Sequence, residues 1–422
     1  MIGEGDVAGA VQAVAGVGRR PLWTPDFGFY FTGRAVSMLG DTMLPVAISL
    51  GVLGAGYGPS GVGFVLASWM APFAALILFG GVFADRFTAR RMMIAADLVR
   101  LVSQSVMAAA FAAGTPRLWQ IVALSAISGA AAAMFQPGVS SMVPHVASDL
   151  QRANATLRVA DAIAQLLGPA LAGVLVGLGG AGLVFVVDAA TFAVSAVCLL
   201  LMRVRPLPST EPGSSMLRNL REGWDEFRSR TWMWSVIIIW SVYGVLVFGP
   251  LIPLGAALIT EGHGRGAYGW IMSAAGAGTV VGGLVAVWFR PSRPLMAGAI
   301  AMTLYFFEPL SLALHMPLPA LAAAFAVTGS VWGFWSVMWA TSVQTQVSQD
   351  VLNRVTAYEV AGSVLSLPVG QALAGPAAER LGAENVLAAG FVVGLVGIAF
   401  LLGIPAIRGL RRAAPVGEAV RS

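Results

Sequence analysis

The chain reads as an all-α integral membrane protein of twelve transmembrane helices in two six-helix pseudo-repeats. Three observations predict it: a composition too apolar for a soluble surface, twelve apolar runs of membrane-crossing length, and a self-match at an offset of 202 residues. Of the 422 residues, 57% are hydrophobic and only 11% are charged. Mean hydropathy is +0.80. A soluble domain carries about 25% charged residues, so this chain lacks the polar surface that water demands.

The first six runs fall at about 28–55, 60–83, 92–114, 118–142, 155–178 and 182–203. The second six fall at about 233–259, 267–289, 295–315, 318–344, 355–378 and 385–406. Each meets the roughly 20 residues that a helix needs to cross the hydrocarbon. The expected organisation is a tail over 1–27, a bundle over 28–203, a linker over 204–232, a bundle over 233–406 and a tail over 407–422. Within the linker, Leu217, Leu220, Trp224 and Phe227 share one helical face. That face suits either the membrane surface or the protein's own loops.

All 25 basic residues are arginines. Twenty of them fall in the termini and in loops after even-numbered spans, against three (Arg117, Arg265, Arg380) in loops after odd-numbered spans. The asymmetry predicts cytoplasmic termini and a cytoplasmic linker. It also explains the sequence pI near 10.0 without nucleic acid. Cys198 is the single cysteine, so no internal disulfide is possible. The acidic residues of the first 17 positions precede Arg19 and Arg20, the reverse of a secretory signal.

At the 202-residue offset, Gly168-Pro169-Ala170-Leu171-Ala172-Gly173 falls on Gly370-Gln371-Ala372-Leu373-Ala374-Gly375, and Gly80-Gly81 falls on Gly282-Gly283. Two separated matches at one offset indicate a parallel internal repeat. Asp85 and Arg86 correspond to Val287 and Trp288, so the second copy has lost its charges.

The loop between the second and third spans reads Gly81-Val82-Phe83-Ala84-Asp85-Arg86-Phe87-Thr88-Ala89-Arg90. It resembles the major facilitator superfamily signature G-x-L-A-D-R-x-G-R-K, with Thr88 and Ala89 departing from it. Several segments are similar to the bacterial efflux branch that includes enterobactin-exporter-like and macrolide-efflux-like proteins: Gly33 to Asp41, Phe135-Gln136-Pro137, and Arg152-Ala153-Asn154 leading into Gly168. Gly168, Pro169 and Gly173 also resemble the fifth-span antiporter motif. The arginine typical of the fourth span in many proton-coupled relatives has no match in Leu118 to Met142. The resemblance implies that Asp85, with Gly81, Arg86 and Arg90, forms a gate by docking at the start of the eleventh span, where a helix N-terminus favours a carboxylate.

Charges inside spans cost about 2.5–3.5 kcal/mol on insertion scales and must face the bundle or a cavity. Asp41 and Arg34 lie seven apart on one face of the first span, Asp188 lies in the sixth and Glu308 in the ninth. A proton-coupled carrier needs a carboxyl tuned by burial and by a nearby cation. Asp41 with Arg34 on its face, Asp188 and Glu308 are therefore coupling candidates, and a permanent ion pair is the alternative for Asp41. Asp97 with Arg100, Arg158 with Asp161, and Glu359 are read as structural charges near the interfaces. Trp332, Trp335 and Trp339 form a stripe in the tenth span, and Trp240 and Tyr243 lie in the seventh. With Gln136 they are candidates for a cavity that takes bulky apolar or planar molecules, packing against a neighbouring helix being the alternative.

No nucleotide-binding loop, metal-ligand cluster or nucleophile triad is present in the sequence. The expectation is a cofactor-free, non-enzymatic, monomeric transporter that exchanges protons for a small, hydrophobic or amphipathic organic molecule such as a drug, natural product or siderophore. A facilitator or importer, and a membrane-embedded enzyme or scaffold, are the alternatives.

Overall fold

The computed structural model describes residues 22–77, 88–147, 149–203, 224–347 and 362–412. The described secondary structure is helical throughout, with no strand among the described residues. The first four spans are Pro25–Gly54, Gly58–Ile77, Ala89–Ala112 and Leu118–Val146. The first begins on a complete cap: Thr24 accepts a hydrogen bond from the Phe27 amide, and Pro25 occupies the first turn, where no amide is needed. The fifth and sixth spans run together over Leu150–Leu201 and break at Gly179–Gly180, where Gly180 has φ 73°. Only glycine takes that conformation at no steric cost.

The second half repeats the plan with more interruptions. The seventh span joins Thr231–Tyr243 to Gly249–His263 through a π-helical turn at Gly244–Phe248. Pro250 follows directly and cannot donate to the turn before it. The eighth span is Arg265–Trp288. The ninth breaks between Pro294–Met302 and Phe307–Ala313; Pro309 removes the amide that would have bonded to Tyr305. The tenth is Leu318–Gln346, the eleventh is described from residue 362 and includes Leu367–Leu381, and the twelfth is Ala383–Gly403.

Lipid gives helices no hydrophobic reason to associate, so close approach through small residues does that work. The 202-residue repeat reappears in the packing. Gly168 of the fifth span lies against Thr42 of the first, and Gly370 of the eleventh lies against Gly244 of the seventh; both partners shift by the same 202 positions. The halves meet along two seams, at Gly173 and at its repeat equivalent Gly375. Gly173 lies against Gly269 of the eighth span, and Gly375 lies against Ser60 of the second. The Ser60 hydroxyl also donates to Glu379 at 2.6 Å.

Both seams run from mid-membrane to the face that carries the short loops after odd-numbered spans. One apolar cluster fills that side and draws on both halves, with Leu44, Leu50, Val62 and Phe185 beside Leu251, Tyr268, Leu312 and Phe325. Toward the arginine-rich face the described clusters divide by half. Phe27, Tyr30, Met93 and Phe135 belong to one, and Trp232, Met233, Leu295 and Trp335 to the other. The described structure is thus sealed at the short-loop face.

A side chain at Gly269 would meet the Gly173 Cα at 2.9 Å and the Pro169 carbonyl at 3.0 Å. Overpacking of this kind costs about 1–3 kcal/mol. Gly269→Val is expected to express normally but to open the short-loop face. A Ser60→Cys reporter in a Cys198→Ala background should then react faster with a membrane-impermeant maleimide. An unchanged reaction rate would mean the seam does not hold this face closed.

Candidate functional site

The site grows from two glycines of the first span. Gly33 lies against Ser195 and Cys198 of the sixth span, and a side chain at Gly40 would occupy the space of the Asp188 carboxylate and the Thr191 hydroxyl. This close approach seats Asp188, fully buried, beside Asp41. Thr191 donates to the Asp188 backbone carbonyl at 2.7 Å.

Asp41 pairs with Arg100 of the third span. The Arg100 side chain is 2% exposed and that of Asp41 is 29% exposed. Arg100 is also stacked on Phe192, its guanidinium carbon 3.8 Å from the ring centroid, with Phe135 at 6.0 Å. An arginine over an aromatic face in a dry site gains cation–π stabilisation. Asp97, one turn before Arg100, is fully buried and faces Ser195 without a well-formed hydrogen bond. Three carboxylates (Asp41, Asp97, Asp188) therefore surround one guanidinium near mid-membrane, and Asp41 is the most accessible of the four.

These pairings correct two expectations. Arg34 is bound to Asp161 of the fifth span at 3.6 Å, while the ion-pair partner of Asp41 is Arg100. Arg34 remains within electrostatic reach of Asp41. Asp97 and Arg100 are not snorkelling residues near an interface: they sit well inside Ala89–Ala112 and are shut away from both faces. The position of Arg100 follows from the third helix beginning at Ala89, nearer the arginine-rich side than the apolar run suggests. Neither shift changes the standing of Asp41 and Asp188 as neighbours of a buried charge system.

Glu308 stands apart from that system. It is 7% exposed, and its Oε2 lies 2.6 Å from the hydroxyl of Thr328 in the tenth span. Among the described residues, no basic side chain pairs with it.

The aromatic candidates do not line one surface. Trp240 and Trp335 stack on each other with centroids 4.6 Å apart and are 7% and 3% exposed. Tyr243 is fully buried, and its hydroxyl donates to the Gly394 carbonyl at 2.7 Å. These three are packing residues of the second half, because neighbouring helices supply rings at the matching depth. Trp339 is half-buried between Trp232 and Trp335. Trp332, at 37% exposure, and Gln136, exposed on the fourth span, keep accessible surface.

Of the loop motif, Gly81, Asp85 and Arg86 lie outside the described residues, as does Glu359. Arg90 is described: its Nε donates to the Leu199 carbonyl at 2.7 Å and its Nη2 to the Leu200 carbonyl at 2.8 Å. It satisfies the last carbonyls of the sixth span, where a cation also meets the negative end of the helix dipole. Gly168 and Gly173 serve as the close-packing points described above, and the Pro169 carbonyl faces Gly269.

Two pseudo-equivalent bundles closed over a mid-membrane charge cluster are the architecture of a membrane transporter. The Major Facilitator Superfamily profile matches residues 30–368, and the chain belongs to that superfamily. It is 23% identical over 393 residues to the MFS-type transporter YvqJ of Bacillus subtilis, covering 90% of this chain and 93% of the relative. It is 24% identical over 395 residues to the multidrug efflux pump Tap of Mycobacterium tuberculosis, with 86% and 91% covered. It is 22% identical over 386 residues to macrolide efflux protein A of Streptococcus pyogenes, with 86% and 92% covered. Its fold is similar to that of the nucleoside transporter NupG, with a TM-score of 0.72 at 13% identity over 90% of this chain and 99% of that one.

Removing one partner of a buried ion pair strands the other charge. Arg100→Met is expected to lower stability by about 3 kcal/mol, the lower end for such a loss because Asp41 keeps some access. Combining it with Asp41→Asn should recover part of the loss in thermal melts of detergent-solubilised protein. A single variant as stable as wild type would show that the cluster holds together without its cation. In the same melts Trp335→Ala should cost about 3–5 kcal/mol, and Trp332→Ala distinctly less.

Proposed function

We propose that the protein is a secondary active exporter that moves small, hydrophobic or amphipathic organic molecules, such as drugs, natural products or siderophores, out of the cell in exchange for protons. The observation that carries this reading is the cluster in which Arg100 faces Asp41, Asp97 and Asp188 while Arg34 is held by Asp161. An uncompensated charge is expensive in a low-dielectric interior. One guanidinium balances one carboxylate, so the other two reach neutrality by holding protons. Asp41 is the accessible member and the point where protons and cargo exchange. Efflux relatives such as Tap and macrolide efflux protein A support export over import.

In this reading the bundles over 28–203 and 233–406 rock as units about the two glycine seams, and the loop containing Gly81, Asp85 and Arg86 gates the opposite face. The arginine-rich face is cytoplasmic, both termini and the linker lie there, and the chain works as a monomer in a bacterial inner membrane. The sealed short-loop face is then extracellular, and the described conformation is the one that receives cargo from inside. Trp332 and Gln136 contact the cargo from the tenth and fourth spans.

Efflux of a compound panel from inverted vesicles, with and without a protonophore, tests the proposal. Wild-type transport of at least one panel member should fall several-fold when the proton gradient is collapsed. Asp41→Asn should transport down a substrate gradient but ignore the protonophore. Unchanged coupling in that variant removes Asp41 from the mechanism.

A further inference from the structure

We propose that the second half holds a site for a lipophilic organic cation: Phe248, Tyr305 and Trp332 form an aromatic corner for its body, and Glu308 behind them supplies the counter-charge. The inference rests on the exporter reading and narrows its cargo to one charge class.

The corner is built by irregular backbone. Phe248 ends the π-helical turn of the seventh span, and Tyr305 lies in the break of the ninth between Met302 and Phe307. Non-helical backbone at membrane depth persists only where it is buried in protein or lines a cavity. Both irregularities deliver a ring to Trp332 of the tenth span. The Trp332 centroid lies 5.7 Å from that of Phe248 and 5.8 Å from that of Tyr305, and the last two are 5.5 Å apart. Phe248 stands at 88° to Tyr305 and at 80° to Trp332. The rings therefore meet at a corner rather than in a stack.

The corner opens toward the space between the halves. On the tenth span, Gly329 and Gly333 turn to the eighth, against the Ala275 and Thr279 carbonyls. Thr328 and Trp335 turn to the ninth, at Glu308 and Gly298. The face left over carries Trp332 and Ser336, one turn apart and both exposed. The seventh span reaches that face through Phe248 and also packs against the first and second spans of the other half. Phe248 and Tyr305 are only half-buried, unlike the Trp240–Trp335 stack.

The counter-charge follows from helix register. Tyr305 and Glu308 lie one turn apart on the ninth span, and Thr328 and Trp332 lie one turn apart on the tenth. Their contacts run in step: Glu308 meets Thr328 at 2.6 Å, and Tyr305 meets Trp332 one turn nearer the arginine-rich face. The carboxyl is thus directly behind the corner, buried, and no basic side chain pairs with it among the described residues. Aromatic faces attract cations, and a carboxylate in a low-dielectric site attracts them more strongly than one in water. An aryl phosphonium or quaternary ammonium satisfies both, because its apolar groups fill the corner and its charge is spread. A neutral molecule of the same shape gains from the rings alone, and an anion is repelled.

Equilibrium binding to detergent-solubilised protein tests the site without an ion gradient, in alkaline buffer that favours the ionised carboxyl. The probes are tetraphenylphosphonium, neutral triphenylphosphine oxide and the anion tetraphenylborate. Wild type should bind the phosphonium at least about tenfold tighter than the other two, and Glu308→Gln should remove that preference. This variant keeps an acceptor for the Thr328 hydroxyl and should bind the neutral probe as wild type does. Trp332→Leu, apolar but without a π face, should weaken the phosphonium several-fold and the neutral probe less, and Trp332→Phe should recover part of the loss. Glu384→Gln, which removes an exposed carboxylate at the short-loop face, is the control and should match wild type. The proposal is overturned by a wild type with no preference for the cation, by a Glu308→Gln variant that retains the preference, or by a Trp332→Leu variant that weakens cation and neutral probe alike. A wild type that binds the phosphonium selectively yet moves no compound of the vesicle panel would instead defeat the exporter reading and leave the site standing.

Discussion

The constraint on which the rest of the structure depends is the cost of holding charge inside a membrane. A carboxylate or guanidinium near the bilayer centre is tolerated only when something neutralises it. In the first half that requirement ties three helices into one unit: Asp41 on the first span, Asp97 and Arg100 on the third, and Asp188 on the sixth. Phe192 covers the guanidinium and keeps water from substituting for the ion pair. Low dielectric strengthens the attraction within the cluster and raises the cost of any imbalance in it.

Close backbone contact is what makes the charge cluster possible. Gly40 lets the sixth span approach near enough to bury Asp188 against the first. Gly168 does the same between the first and fifth spans, and its repeat partner Gly370 does so between the seventh and eleventh. The inter-half seams at Gly173 and Gly375 follow the same rule, but with partners from the opposite bundle. Helices within a half are therefore joined by ion pairs, ring stacks and glycine contacts, whereas the halves meet through small residues, an apolar cluster and the exposed Ser60–Glu379 hydrogen bond. Small-residue seams can part without stranding a charge.

The spans were legible because hydropathy and length alone define them, and the internal repeat was legible because glycine spacing survived in both copies. The partner of Asp41 was not. Residues seven apart on one helix share a face, and that spacing suggested Arg34. The choice between Arg34 and Arg100 depends on how the third and fifth helices rotate, which a linear pattern does not encode. The packing of the aromatic stripe was hidden for a related reason. Periodicity puts Trp332, Trp335 and Trp339 on neighbouring faces of the tenth span, but only the presence of Trp240 at the matching depth of the seventh turns Trp335 into a core residue. At Arg90 the motif suggested a gate, and the bonds to the Leu199 and Leu200 carbonyls, which its position in the sequence does not reveal, add a cap on the sixth span.

The two halves solve the same electrostatic problem in different ways, and the difference bears on how they divide the work. The first half compensates its carboxylates with Arg100 and Arg34. The second half buries Glu308 with the Thr328 hydroxyl for company, and no basic side chain pairs with it among the described residues. The first arrangement suits the proposed exchange at Asp41, and the second leaves a carboxyl that no arginine holds. The repeat that made the halves equal in backbone has been used to make them unequal in charge.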